Sequence, residues 1–372
     1  MSRKRVVLSA VGLNQGGTLT VAKEIFEAAD KMSCCRFIGL VHSKKLYPRY
    51  NNIKLIEVSS PKASWFCRLY FEFVSSYRIS QRLSPEVWFA LHDITSRVKA
   101  NRQYVYCHNP TPFYLAGLRD LIFQPTVFVF SLFYRYLYRL NIRSNKAVFV
   151  QQCHIRQYFQ QAYQHPNVVV ARPQSVEPLA DNYSIPSTYS ASNGKNLQLF
   201  YPTLPRTFKN IELLIDAAKL LHQRGFHRFE IAITVSGKDS LYARYLVWLA
   251  KGVAGIRFIG RLPYSQVMQQ YRQSDALVFP SKLETWGLPL TEAKSLNLPV
   301  LAADLSYARE TLGQYAKVRF FDPTRADALA DQIESMAAGK DFQGSDFVVS
   351  GDVPLVNGWD ELVAYIMQED KP

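Results

Sequence analysis

Short apolar runs alternate with segments of helical period along almost the whole chain, and the alternation is interrupted once. "RVVLSAV", "RFIGLVH", "IKLIEVS", "YVYCH", "TVFVFS" and "KAVFVQ" read as strands, and "GGTLTVAKEIFEAADKM" reads as a helix with Leu19, Ile25, Ala28 and Ala29 on its apolar side. From residue 166, "PNVVVARPQSVEPLADNYSIPSTYSASNGKN" loses period and fills with Pro, Ser and Asn, which marks a linker over residues 173–195. The alternation then restarts with "LQLFYPT" (strand), "NIELLIDAAKLLHQRG" (helix) and "FEIAITVSG" (strand), and it ends on the helix "GWDELVAYIMQED". Apolar strands alternating with helices specify a parallel sheet covered on both faces. The expectation is therefore an α/β chain of two domains, 1–172 and 196–372, with the last helix free to pack back on the first. Ligands of such sheets bind at the C-terminal ends of the strands.

At 372 residues with 48% hydrophobic content, both halves can bury a core. The five cysteines (Cys34, Cys35, Cys67, Cys107, Cys153) form no CxxC pair, so neither a disulfide framework nor a zinc site is indicated, and a reducing, cytoplasmic compartment fits. The apolar run Val6–Val11 is too short for a secretory leader, and the uncharged stretch Leu121–Tyr134 is too short to cross a bilayer. The net charge of +14 is unevenly placed: residues 1–172 hold 24 of the 44 Lys/Arg but 8 of the 30 Asp/Glu. A surface of that kind attracts nucleic acid, anionic lipid headgroups or a pyrophosphate-linked molecule.

The most informative motif is "DALVFPSKLETWGLPLTEAKSLNLPVLAAD" (275–304): a strand, a glycine turn, a helix start, and two carboxylates, Glu284 and Glu292, flanking the turn. Free N–H groups at a helix start suit a phosphate, and a carboxylate accepts paired hydrogen bonds from a vicinal diol. The plain alternative, an ordinary turn with one capping glutamate, leaves the surrounding pattern unexplained.

In "ETWGLPLTE" (284–292) this segment resembles family-4 retaining glycosyltransferases of the GT-B fold, whose donor site carries Glu, seven residues, Glu. The resemblance covers 197–330 well and the first half loosely. It implies two Rossmann-like domains facing each other across a cleft. Glu284 would then lie beside the donor sugar, Gly287 and Leu288 would present backbone N–H groups, and Glu292 would bind the ribose hydroxyls. In "FYPTLPRTFKN" (200–210), Arg206 and Lys209 stand where the family has an Arg and a Lys that neutralise the donor diphosphate, with a shorter spacing than usual. Fixed cations aimed at a leaving diphosphate stabilise the transition state.

The loop "VGLNQGGTLTVAKE" (11–24) offers Gly16 and Gly17 at a helix start, which the resemblance places opposite the donor phosphates. It is not GxGxxG, and the strand that follows ends on basic residues, which argues against a dinucleotide enzyme. "YVYCHNPTPF" (104–113) puts His108 at a strand end, as a structural histidine or as a contact to sugar or acceptor. Relatives carry a histidine one strand later, where this chain has Ser131 in "VFVFSLFY". "SLFYRYLYRLNIR" (131–143) spaces Arg135, Arg139 and Arg143 four apart, as on one helical face among aromatic residues, and "WFCRLYFEFVSSYRISQRL" (65–83) has the same character. Such segments form either core packing with a cationic stripe or an interfacial surface for anionic lipid.

The resulting expectation is a cytoplasmic enzyme associated peripherally with the inner face of the membrane. It would move a sugar, with retention, from a nucleoside-diphosphate sugar to a saccharide acceptor carried on a lipid pyrophosphate, in surface-polysaccharide or O-antigen synthesis. No nucleic-acid partner and no cofactor are expected, and no metal either, because no DxD-like pair lies near the motif. Two other readings remain: a non-catalytic polyanion-binding protein, which would bind heparin but no nucleoside diphosphate, and a sugar-nucleotide epimerase of the same architecture, which would act without acceptor.

Overall fold

The computed structural model describes residues 4–14, 16–58, 64–173 and 196–368, so the expected linker lies outside the described residues except for Pro173. Their fourteen strands are β1 (Arg5–Ala10), β2 (Arg36–Val41), β3 (Ile53–Glu57), β4 (Val87–Ala90), β5 (Arg102–Tyr106), β6 (Ala147–Val150), β7 (Val168–Arg172), β8 (Leu197–Tyr201), β9 (Phe229–Ile233), β10 (Ile256–Phe258), β11 (Ala276–Phe279), β12 (Val300–Ala303), β13 (Val318–Phe321) and β14 (Leu355–Asn357). They form two sheets, ordered β14-β7-β6-β5-β4-β1-β2-β3 and β10-β9-β8-β11-β12-β13. Every pairing is parallel.

The chain divides into two compact units. One comprises Met1–Asn109, Phe133–Ser175 and Ser350–Pro372; the other comprises Pro110–Leu132 and Val176–Val349. The boundaries differ from the expected 1–172 and 196–372 at residues 110–132, while residues 350–372, with the last helix, join the first unit.

In the first unit alternate residues of β1 face opposite sides. Val6 and Leu8 join Phe26, Phe89, Tyr104 and Phe149 in one core, while Val7 joins Ile38, Phe71 and Trp88 in another. The C-terminal helix Trp359–Met367 covers the first of these cores. Trp359 packs on Tyr106 at 5.8 Å, Tyr365 on Phe149 at 5.4 Å, and β14 extends the sheet beside β7. In the second unit an apolar cluster of described residues runs through the six strands and their helices.

Three local expectations are corrected. "TVFVFS" is not a strand but part of the helix Pro125–Arg139. A short apolar run does not distinguish the two states, and Pro125 at the first helical position is pre-set for a helix. "VVVAR", placed in the aperiodic stretch, is the buried strand β7. Arg143 does not continue the helical face of Arg135 and Arg139: the helix ends at Arg139, Asn141 takes φ +57°, and Arg143 sits in the one-turn helix Ile142–Ser144. Among the described residues, no helix is long and apolar enough to cross a membrane.

Candidate functional site

The loop after β8 carries Arg206 and Lys209, and its backbone is tied down on all sides. A one-turn helix, Thr207–Lys209, closes on Asn210 at φ +57°. The Asn210 amide donates to the carbonyls of Pro280 (3.1 Å) and Pro323 (2.9 Å), the Lys282 N–H donates to Phe208 O (2.7 Å), and the Tyr201 hydroxyl donates to Lys209 O (2.9 Å). The Lys209 ammonium pairs with the Glu284 carboxylate, and both side chains are mostly buried. It also lies 5.7 and 5.9 Å from the ring centroids of Phe208 and Phe279. An ammonium has three donors, so one bond to Glu284 leaves two for another anion. The Arg206 side chain is exposed.

The turn carrying the two glutamates is built around Gly287, at φ +84° and ψ 62°. That left-handed conformation strains any residue with a Cβ, and a Cβ here would also crowd Leu290 Cδ1 at 3.2 Å. Trp286 anchors the corner: its indole N–H donates to Thr291 Oγ1 (2.9 Å), and its carbonyl accepts from the Thr311 hydroxyl. No side chain caps the helix Leu288–Ser295. Pro289 has no N–H and Leu290 donates to Gly287 O, so among the described residues Gly287 and Leu288 supply the remaining donors at this start. One turn on, Glu292 Oε2 accepts from the Tyr271 hydroxyl at 2.8 Å, and burial holds its carboxyl above the usual carboxylate range. The second unit thus gathers Lys209, Glu284, Gly287, Leu288 and Glu292 at the ends of β8 and β11. The Lys209–Glu284 contact was not foreseen from sequence.

In the first unit, Gly16 (φ +68°) and Gly17 open the helix Gly16–Asp30. The more constrained glycine is Gly12, where a Cβ would fall 2.0 Å from Arg68 Nη1. Arg68 is held by Glu72 (Nε to Oε1, 2.8 Å) and by the His92 carbonyl (3.1 Å). Glu72 also accepts from the Ser96 hydroxyl (2.6 Å) and lies 3.3 Å from His92 Nδ1, whose ring Nε2 meets the Ser9 hydroxyl at 3.0 Å. Burial pushes the Glu72 carboxyl up and the His92 imidazole well down. Ser9, Glu72 and His92 are fully enclosed. An enclosed hydroxyl cannot meet a substrate, so this network is a support for the glycine loop.

His108 is buried against Tyr106, 4.5 Å between ring centroids, with its backbone N–H on Asp93 at 2.5 Å. Its ring bonds the Leu91 carbonyl, while Nε2 has no partner among the described residues. Burial lowers its pKa, so the neutral ring keeps an acceptor there. Sequence reasoning missed Asp93, which at φ +74° also accepts from Asn109 N–H (2.8 Å) and the Tyr138 and Tyr134 hydroxyls. The polar "HD" follows β4, a strand not recognised, so nothing marked it as a strand end. Ser131 lies inside a helix and donates to Phe128 O at 2.7 Å, so the comparison with a histidine at a strand end does not hold for it.

The two aromatic and basic segments meet in the first unit, where Trp65 packs edge-on against Tyr134 at 6.2 Å. Around that contact Phe66 is 85% exposed, and Tyr70, Phe133, Tyr136 and Leu140 are also exposed. The opposite side of the helix, at Tyr134 and Tyr138, is buried. Among the described residues, no group of three or more His, Cys, Asp or Glu is arranged to hold a metal ion.

Residues 185–343 match the family model described as glycosyl transferases group 1. A 126-residue stretch is 29% identical to O-antigen chain mannosyltransferase B of Escherichia coli, covering 34% of this chain and 32% of that protein. The aligned stretches span about a third of the length of the curated relatives they match. Among solved structures, sucrose-phosphate synthase from Thermosynechococcus elongatus superposes with a TM-score of 0.64 at 14% identity, over 90% of each chain. WaaG, a glycosyltransferase involved in lipopolysaccharide biosynthesis, superposes with a TM-score of 0.61 at 16% identity, again over 90% of each. The fold is that of the GT-B glycosyltransferases on which the chain superposes, and residues 185–343 match the group 1 glycosyltransferase model.

Proposed function

We propose that the protein transfers a sugar from a nucleoside-diphosphate sugar to a saccharide acceptor, with retention of anomeric configuration. The observation that carries this reading is the second unit's cluster: Lys209 paired with Glu284 beside a glycine-opened helix start, and a half-buried Glu292 one turn further on. Glu292 takes the ribose hydroxyls, the Gly287 and Leu288 amides and the Lys209 and Arg206 cations take the diphosphate, and Glu284 lies at the transferring sugar. As the sugar departs, charge collects on the diphosphate, where fixed cations and amides stabilise it best.

The acceptor in this reading is a lipid-linked saccharide of a surface polysaccharide, in keeping with the relatives named for O-antigen and lipopolysaccharide synthesis. The exposed aromatic residues around Trp65 and Tyr136, with Arg135, Arg139 and Arg143 nearby in sequence, support attachment to an anionic membrane surface. The experiment is a thermal-shift screen of UDP-, GDP- and ADP-sugars, followed by NMR of the product formed with a lipid-linked saccharide. A donor that raises the melting temperature and a product that keeps the donor's anomeric configuration support the proposal. Stabilisation by no nucleotide sugar, or an inverted product, refutes it.

A further inference from the structure

The cationic loop is held by residues far away in sequence that belong to the same unit. In the helix Leu118–Phe123, the buried Asp120 carboxylate accepts the Thr207 hydroxyl, the Tyr114 hydroxyl (3.1 Å) and the Gly117 N–H (2.7 Å). At the end of that helix, buried Gln124 donates from Nε2 to the Pro205 carbonyl at 2.9 Å, and its Oε1 lies 3.4 Å from the Thr207 hydroxyl. Pro205 and Thr207 are the two neighbours of Arg206. The helix is anchored in turn: Phe123 stacks on Tyr245 at 5.0 Å and packs on Tyr242 at 5.5 Å, and the Tyr242 hydroxyl donates to Glu212 at 2.5 Å.

We infer that Asp120 and Gln124 are positioning residues for the diphosphate-binding cations, acting through Thr207 and Pro205 to hold Arg206 and Lys209 in place; this rests on the reading of that loop as a diphosphate site. A carboxylate meeting three donors in a buried site has one stable arrangement, and the Thr207 hydroxyl is one of the three. Without the hydroxyl, the one-turn helix loses its tie to Asp120, which leaves the Gln124–Pro205 bond alone on the side of Arg206 and the several ties on the side of Lys209 intact. Losing one charge-assisted bond from a displaced cation to a phosphate lowers affinity by about tenfold or more.

The test measures affinity for UDP and GDP, and for uridine and guanosine by competition, in Thr207→Val, Thr207→Ser, Gln124→Met and Lys209→Ala, with a melting curve for each. Thr207→Val should weaken the diphosphate that binds wild type by about tenfold or more and leave its nucleoside unaffected, and Thr207→Ser should restore binding. Gln124→Met should show the same selective loss, and it carries the test if Thr207→Val does not fold. Folded variants with diphosphate affinity unchanged, or with equal losses for diphosphate and nucleoside, overturn the inference. If Lys209→Ala itself keeps wild-type diphosphate affinity, the reading of the loop fails first and the inference falls with it.

Discussion

Replacing Glu292 by Gln separates ligand binding from folding, because the two should move in opposite directions. One carboxylate oxygen, Oε2, is committed to the Tyr271 hydroxyl at 2.8 Å, and the other is available to a ribose diol. Glutamine keeps a single acceptor oxygen, which Tyr271 takes, so at least one charge-assisted bond to the ligand is lost. Such bonds contribute roughly 1.5–3 kcal/mol, and calorimetry should find Kd for the nucleoside diphosphate raised by about ten- to a hundredfold. Burial holds the Glu292 carboxyl above its usual range, which means the fold favours the protonated form. Its contribution to stability is therefore fully present below the unfolded-state pKa and is lost as pH rises through the folded one. At pH 7 the ligand-free Glu292→Gln protein should melt at or above the wild-type temperature. Wild-type affinity should also fall as pH drops through the raised pKa, and the variant should lack that dependence. Unchanged affinity in a folded variant refutes the ribose assignment, and a marked loss of stability refutes the account of the buried carboxylate.

Glu284→Ala should lower kcat far more than it weakens binding of the free nucleoside diphosphate, since its proposed contact is with the transferring sugar; equal losses in steady-state and calorimetric assays count against that role. A chelator should leave turnover essentially unchanged, and activity that returns only with magnesium or manganese contradicts the assignment of diphosphate charge to Arg206 and Lys209. Gly12→Ala should displace the Arg68 guanidinium from buried Glu72 and cost about 1–3 kcal/mol in a urea titration; an unaltered midpoint would show that the loop tolerates a side chain. Substituting Gln for Arg135, Arg139 and Arg143 together should release the protein from phosphatidylglycerol vesicles, each arginine contributing about 1 kcal/mol, and wild-type attachment should fade as salt rises. Retention of the variant on vesicles in co-sedimentation refutes the basic-surface reading.

Much of the fold was legible because strands buried on both faces are nearly pure apolar runs. "VVLSA", "FIGLV" and "ALVF" are continuous in sequence and continuous in burial. The failures have separate causes. "TVFVFS" is as apolar as those strands, and Pro125 at the helix start together with tertiary packing, with Tyr134 and Tyr138 turned inward, makes it helical. β7 was hidden by the prolines on either side of it, and the three-residue β14 by its shortness. The unit boundaries were misplaced for a further reason. Residues 110–132 adhere to the second unit through Asp120, Gln124 and Phe123, single side chains whose partners lie some eighty to a hundred and twenty residues away. No periodicity records a contact of that kind.

The candidate site divides along the same line. The Gly287 turn was readable because its geometry is local: a positive φ, a helix start and two carboxylates fall within nine residues. Lys209 and Glu284 are separated by 75 positions, and from sequence they appeared as two independent candidates, one for the diphosphate and one for the sugar. Their contact makes them one electrostatic unit. The ammonium is held over the rings of Phe208 and Phe279 with Glu284 already neutralising it, so the pair brings little net charge to a mostly buried place. On the proposed function, a donor diphosphate engages the two remaining donors of Lys209 without having to extract the lysine from its carboxylate, and Arg206, exposed next to the clamped Thr207, supplies the uncompensated positive charge. Loss of the Glu284 carboxylate should therefore weaken the diphosphate through Lys209, though by less than it slows turnover through the lost sugar contact. That coupling makes the two residues non-additive in a double-mutant cycle, whereas Glu292, bonded to Tyr271 instead, should add independently.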